Sequence, residues 1–147
     1  MFSLPSGCKI RPATAKDIWT IRKLVLLARL DFNQLRWQQF WVVEKEGKTI
    51  ACGQLRNFED GQELGSLVVA KNLQNQGMGS YLTQYLITQA TKTLYLECLG
   101  SKLVEFYSRL GFVSVSWQEL PPSLQRKFSI SAWAKNWFHL PVGFDAY

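Results

Sequence analysis

Three features in series limit what this chain can fold into. An apolar run, Leu67-Val68-Val69, is followed by a polar segment from Lys71 that closes on Gly77-Met78-Gly79, and then by an amphipathic stretch. The apolar run suits a strand covered on both faces. From Ser80 to Thr91, Leu82, Tyr85, Leu86 and Ala90 recur at helical intervals. A strand that turns through two glycines into a helix presents the helix N-terminus at the turn. The first amides there lack partners, and the aligned peptide dipoles place about half a positive charge on them. Glycines let the backbone approach a ligand with no side chain between. Gln74-Asn75-Gln76-Gly77-Met78-Gly79-Ser80 therefore reads as an anion cradle suited to phosphate. Taken alone, the segment also fits a tight strand-to-helix turn and nothing more.

The flanking sequence supplies a sheet. Cys8 to Pro12 reads as a short strand. Thr14 and Asp17 stand three residues apart, as in a capping box, ahead of Ile18, Ile21, Leu24, Val25 and Ala28 at helical spacing. Phe40 to Lys45 and Thr49 to Arg56 flank the turn Glu46-Gly47-Lys48 and predict a hairpin. After a second turn, Glu59-Asp60-Gly61, comes the strand Glu63 to Ala70. Beyond the glycine loop, Leu94 to Leu99 predicts a strand and Ser101 to Leu110 a helix capped by Ser101 and stopped by Gly111. Phe112 to Trp117 predicts the next strand. Ser123 to His139 is ambiguous, with an amphipathic helix favoured, and Pro141 to Tyr147 reads as a tail. The order predicts an α/β fold with one mixed sheet and helices on both faces. One domain is expected over 1–147, with a core of about 8–119 and a C-terminal extension over 120–147.

Charge and rare residues narrow the function. Seventeen Lys and Arg against 11 Asp and Glu give a formal charge of +6. That favours an anionic partner: nucleic acid, acidic membrane or a phosphorylated cofactor. The basic residues are scattered, whereas nucleic-acid binding usually clusters them, so no nucleic-acid partner is expected. Cys8, Cys52 and Cys98 are odd in number and widely spaced, which supports neither a disulfide framework nor a zinc knuckle. Free thiols, no signal-peptide pattern at the start and no apolar run near the ~20 residues of a membrane span give the expectation of a cytoplasmic protein with no membrane partner. His139 is the only histidine, which leaves little room for a Ser-His-Asp site or a multi-His metal site, and no metal is expected.

Two common phosphate motifs do not fit the loop. A P-loop needs four residues between its glycines and then Lys with Ser or Thr, and Gly79-Ser80 offers no such Lys. A dinucleotide fingerprint needs a third glycine where Leu82 stands. Gln74-x-x-Gly77-x-Gly79, by contrast, resembles the acetyl-CoA motif of the GNAT superfamily of N-acetyltransferases. Leu67-Val68-Val69 looks like that family's central strand, and Ser80 to Thr91 like the helix after it. Phe106-Tyr107-Ser108-Arg109-Leu110-Gly111-Phe112 resembles its second signature, at the usual separation. The resemblance covers about residues 8 to 119.

The resemblance implies a function and a set of roles. The enzyme would pass an acetyl group from acetyl-CoA to a primary amine by direct attack. Backbone amides from Gln74 through Ser80 (Gln74, Asn75, Gln76, Gly77, Met78, Gly79, Ser80) would hold the pyrophosphate. The pantetheine arm would pair with the edge of the strand at Leu67, Val68 and Val69, and Leu94 to Leu99 would be the splayed neighbour. The family often has an Asn where Gly100 stands, so one polar contact to the cofactor is missing. Tyr107 matches the position of the acid that protonates the leaving thiolate; a core tyrosine is the other reading. The base is open between Glu63, early on the central strand, and Glu97, a charge inside an apolar strand. A solvated strand end for Glu63 and a structural ion pair for Glu97 compete with that role. Trp37, Phe40 and Trp41 fit core packing better than a substrate wall. Trp133, Trp137 and Phe138 fit a sheet cap, a pocket lining or a homodimer contact. A non-catalytic acyl-CoA-binding module on the same fold is the rival function.

Overall fold

The computed structural model describes residues 4–28, 35–98, 100–129 and 136–141. Seven strands form one mixed sheet in the order β1-β2-β3-β4-β5-β7-β6. They are β1 (Cys8–Pro12), β2 (Phe40–Lys45), β3 (Lys48–Phe58), β4 (Gly61–Val69), β5 (Leu94–Cys98), β6 (Val113–Val115) and β7 (Asn136–Leu140). Four α-helices accompany them: α1 (Ile18–Leu27), α2 (Met78–Gln89), α3 (Ser101–Arg109) and α4 (Pro122–Phe128). No helix among the described residues is long and apolar enough to cross a membrane. Contacts divide the chain into two compact units, Met1–Leu55 with Gly65–Thr88 and Arg56–Leu64 with Gln89–Tyr147. The chain passes between them within β3, within β4 and at the end of α2.

In the first unit, alternation along β3 sorts side chains onto two faces. Cys52 joins Val42, Val68 and the α1 residues Ile21, Leu24 and Val25 in one core cluster. Ile21 and Val25 are completely buried, and each such side chain stabilises the unit by roughly 1.5–3 kcal/mol. Gly53 points the other way, toward Leu82 and Leu86 of α2 and Leu67 of β4. Helices thus cover both faces of these strands, as the sequence predicts. Ala28, expected on the apolar face of α1, is exposed.

The start of α1 is fixed by charge. Thr14 and Asp17 form the expected capping box around a single 3-10 turn, Ala15–Asp17, that leads into the helix. The Thr14 amide donates to Asp17 Oδ2 at 2.7 Å. Arg11 of β1 donates from both terminal nitrogens to the two Asp17 oxygens at 2.8 and 3.0 Å, and from Nε to Glu44 of β2 at 2.9 Å. One guanidinium therefore ties two strands to a helix start.

In the second unit, β5 pairs in parallel with β4 at Gln62 opposite Leu94 and Glu63 opposite Tyr95. Gln62 anchors this junction: its side-chain oxygen accepts from the Thr91 and Lys92 amides, and its nitrogen donates to Asn57. α3 ends at Gly111, whose φ of +99° suits glycine. Its N-cap is Gly100, with Ser101 the first helical residue, so Ser101 is not the cap the sequence suggests.

The Ser123–His139 segment differs from the predicted helix. Among its described residues the helix is confined to Pro122–Phe128, and Asn136–Leu140 is β7, lying between β5 and β6 with antiparallel pairing to both. The reason is the ladder. Two flanking strands satisfy the backbone on both sides, and Asn-Trp-Phe-His-Leu has the aromatic, alternating character of a strand, with Phe138 buried. Leu124 and Phe128 of α4 pack with Tyr95, Val115 and Leu120. Trp133 lies outside the described residues.

The Arg11–Asp17 pair makes stability depend on pH. Arg11 holds the Asp17 carboxyl at about 2, down from 3.8, by hydrogen bonding above all; burial opposes this, and the Thr14 amide assists. A carboxyl depressed in the folded state stabilises it fully above its unfolded pKa. That contribution is lost as pH falls from about 4 toward 2. Its size is about 1–2 kcal/mol, since the pair is partly solvated. Asp17→Asn should therefore lower the urea midpoint at pH 6 and bring it close to that of the unmodified protein at pH 2.5. A gap of equal size at both pH values would contradict this linkage.

Candidate active site

β4 carries candidate residues of both units. Leu67, Val68 and Val69 lie in its second half and Glu63 in its first. In the first unit Leu67 and Val69 are half-buried, while Val68 enters the core with α1. β4 gives way at Ala70 to a 3-10 turn, Lys71–Leu73, and then to the glycine loop. Asn75 takes φ +66° and Gly77 φ +82°, left-handed conformations that Asn and Gly tolerate best. The Gly77 carbonyl accepts from the Tyr81 amide at 3.0 Å, so α2 begins here and the amides of its first turn point outward without helical partners. Gln74, Asn75, Gln76 and Gly77 are exposed, Gly79 and Ser80 half-exposed, and Met78 is buried as the anchor of the turn. The Gln74 side chain folds back and donates to the Val69 carbonyl at 3.0 Å, stitching loop to strand.

A cavity of about 680 Å³ opens where β4 ends. Val68, Val69 and Gln74 line it together with Leu24, Lys23 and Lys71. Its volume is that of a small-molecule site, and its two lysines favour an anion. Glycine has a distinct purpose at each loop position. At Gly77 the backbone angle demands it, with open space where a side chain would stand. At Gly79 the angle does not demand it, and a Cβ would meet only Val69 Cγ2 at 3.8 Å, an ordinary contact. Nothing in the described fold requires Gly79 to lack a side chain, so a ligand approaching the α2 N-terminus is a physical reason for it. The residues present fit a phosphate-bearing cofactor.

The second unit holds the three titratable candidates. Tyr107, on α3, is buried, with Phe106 and Phe112 edge-on at ring distances of 5.0 and 5.6 Å. Burial pushes its hydroxyl well above the usual tyrosine range, and the charge that ionised Cys98 would carry adds to this. The Cys98 thiol is itself pushed up to about 11 by burial. Both groups stay protonated at neutral pH. Tyr107 thus keeps its phenolic proton, and Cys98 has no thiolate to act as a nucleophile. Glu97 is half-buried on β5, opposite Trp137 of β7.

Glu63 is the residue whose surroundings differ most from the expectation. It is no solvated strand end; its exposure is 3%. Arg56 Nη1 lies 3.1 Å from Oε1, and Lys127 Nζ lies 3.0 Å from Oε2. Two cations from β3 and α4 thus hold one carboxylate inside the unit. Sequence reading missed both. Arg56 was within reach, because 56 and 63 stand symmetrically about the Glu59-Asp60 turn and so face each other in any tight hairpin. Lys127 gave no signal, since its helix could not be bounded.

Comparison with known proteins decides the family. Residues 36–114 match the acetyltransferase (GNAT) domain. The chain belongs to this family. The amino-acid acetyltransferase of Buchnera aphidicola subsp. Schizaphis graminum is 26% identical over 145 residues, covering 90% of this chain and 33% of that protein. The chain spans about a third of the length of the curated relatives it matches. Among solved structures, N-acetylglutamate synthase from Neisseria gonorrhoeae, complexed with coenzyme A and N-acetyl-glutamate, superposes with a TM-score of 0.81 at 21% identity. That match covers 95% of this chain and 36% of the synthase. Rv2747 from Mycobacterium tuberculosis, in complex with CoA, gives 0.75 at 17% identity over 91% of this chain and 99% of its own. The mixed seven-stranded sheet with its four helices is the GNAT fold. α4 and β7 lie beyond the matched residues.

The Glu63 cluster yields a stability test. Glu63→Gln takes the shared anion from a buried arginine and a half-buried lysine, and breaking a buried pair in this way costs about 3–5 kcal/mol. Urea unfolding should show a loss of that order. A loss below about 1 kcal/mol, the range of exposed pairs, would mean that the cluster is solvated in solution.

Proposed function

We propose that this GNAT domain transfers the acetyl group of acetyl-CoA to the amino group of a free amino acid. The observation that carries the proposal is the start of α2: a helix N-terminus that follows a loop whose Gln74 lines a cavity, with a glycine at 79 that the fold itself does not need. Gln74 through Ser80 hold the pyrophosphate through backbone amides, with Lys23 and Lys71 adding positive charge. The half-buried edge of β4 at Leu67–Val69 receives the pantetheine arm. Support for the acceptor class comes from the names of the relatives, amino-acid acetyltransferase and N-acetylglutamate synthase.

The chemistry assigns work to few side chains. Acetyl-CoA supplies a thioester carbonyl that a neutral amine can attack directly. Charge developing on the carbonyl oxygen calls for a donor, and a backbone amide of β4 near Val69 serves as one. Tyr107 gives its proton to the departing thiolate. Removing the amine proton falls to Glu97, directly or through water. Glu63 can serve as base only if one of its two cationic partners moves away, because each already engages one of its oxygens.

Gly79→Ala isolates the cradle from the fold. The substitution adds a Cβ with room to stand and replaces glycine near a helix start, so stability should hold or rise by up to about 1 kcal/mol. Affinity for acetyl-CoA, read by calorimetric titration, should fall at least about tenfold, about 1.4 kcal/mol. Undiminished binding would remove the cradle assignment.

Activity is read by thiol release with a panel of free amino acids and other amines. Tyr107→Phe should lower kcat by about 10²-fold or more with acetyl-CoA affinity nearly unchanged. Equal losses in both would make Tyr107 a packing residue. Binding of acetyl-CoA with no turnover on any amine would favour the non-catalytic module.

A further inference from the structure

One residue inside β4 breaks the strand's regularity. Ser66 has φ +50°, the left-handed region; the other two described non-glycine residues with positive φ, Glu46 and Asn75, lie in turns or loops. Such a conformation costs a residue with a Cβ about 1–2 kcal/mol, so it persists only where its surroundings impose it. Pairing across the β3–β4 hairpin slips at the same place. Gln54 meets Ser66, so a regular antiparallel ladder would set Arg56 on the same face as Leu64; instead Arg56 meets Glu63. β4 therefore accommodates one extra residue between Glu63 and Ser66, and Ser66 absorbs the bend.

A buried polar chain holds Ser66 there. Its hydroxyl donates to Gln54 Oε1 at 3.2 Å, and the Gln54 side-chain nitrogen donates to Gln39 Oε1 at 2.9 Å. The Cys52 thiol donates to the Ser66 carbonyl at 3.6 Å. Gln54 is completely buried and Ser66 is 8% exposed. A primary amide in the middle of a core strand is expensive unless it is engaged, and here it is engaged at both ends. Cys52 and Val68, on the same face, are apolar packing residues; the polar side chain stands where the strand has to be bent.

We infer that Gln54, braced by Gln39, is a positioning residue: its hydrogen bond to the Ser66 hydroxyl fixes the left-handed step in β4 and thereby sets the course of the Leu67–Val69 backbone. The functional consequence rests on the reading above, in which that backbone meets acetyl-CoA. Gln54 is completely buried and acts through Ser66.

The test uses the fact that only glycine takes the left-handed step without an anchor. Ser66→Ala keeps a Cβ and loses the hydroxyl, and Gln54→Leu removes the acceptor. Each should weaken acetyl-CoA about tenfold, the scale of one buried hydrogen bond lost. Ser66→Gly, alone or combined with Gln54→Leu, should bind within about threefold of the unmodified protein, because the strained angle no longer needs holding. Amide hydrogen exchange at Leu67, Val68 and Val69, followed without ligand, should quicken in Ser66→Ala and Gln54→Leu and slow again in the Ser66→Gly pair. If Gln54→Leu does not fold, the Ser66→Ala and Ser66→Gly contrast carries the test. Unchanged exchange, or a loss of affinity that glycine does not relieve, overturns the positioning role. Failure of the unmodified protein to bind acetyl-CoA overturns the cofactor reading instead, and the exchange measurement still decides Gln54.

Discussion

β4 has to be a buried strand and also depart from regular strand geometry, and the structure depends on how its buried polar groups meet both demands. Glu63 and Ser66 lie on it three residues apart, and neither is exposed. An isolated carboxylate in that position would cost far more than a domain's net stability. Arg56 and Lys127 supply two counter-charges, so the cluster carries an excess positive charge on its three side chains. Replacing such a cluster by apolar residues is often neutral or stabilising, so stability alone does not explain it. What it fixes is register: Arg56 meets Glu63 in the register that the Glu59-Asp60 turn sets, one residue out of step with the Gln54–Ser66 contact, and Ser66 absorbs the difference. The ion cluster and the amide chain thus bear on the same irregularity of β4.

Much of this fold was legible because its elements are locally consistent. Phe40–Lys45 is bounded by turn residues and came out as predicted. The Thr14–Asp17 spacing announced a capping box that the structure contains. The glycine loop declared a strand-to-helix turn. Where reading failed, the deciding information was not local. Asn136–Leu140 becomes a strand because β5 and β6 leave a place between them, and no pattern within Ser123–His139 reports that vacancy. Ser66 looked like any polar residue in a strand, since one left-handed step leaves no trace in residue type when the residue is not glycine. Glu63 looked like a strand end near a turn, because its burial comes from α4, whose boundary the sequence left open.

The two loop glycines show how composition can mislead about cause. Both are required by the motif, yet the physics differs. Gly77 answers a backbone angle and would be glycine in any protein that made this turn. Gly79 answers no angle and no packing contact among the described residues. Only the second points beyond the fold toward a ligand. The pair therefore says less about phosphate than its spacing suggests, and Gly79 says more.

Proton traffic follows the same division between the residues of the second unit. Tyr107 lies against two rings, Phe106 and Phe112, and burial keeps its hydroxyl protonated at neutral pH. Glu63 is held between two cations, Arg56 and Lys127, at the start of β4. On the proposed reading this separates the two glutamates: Glu63 maintains the strand, and proton removal belongs to Glu97 or to water. It also explains how an ion pair can occupy the place where a catalytic carboxylate was expected without making the site inert, since the acid end of the mechanism, at Tyr107, does not depend on it.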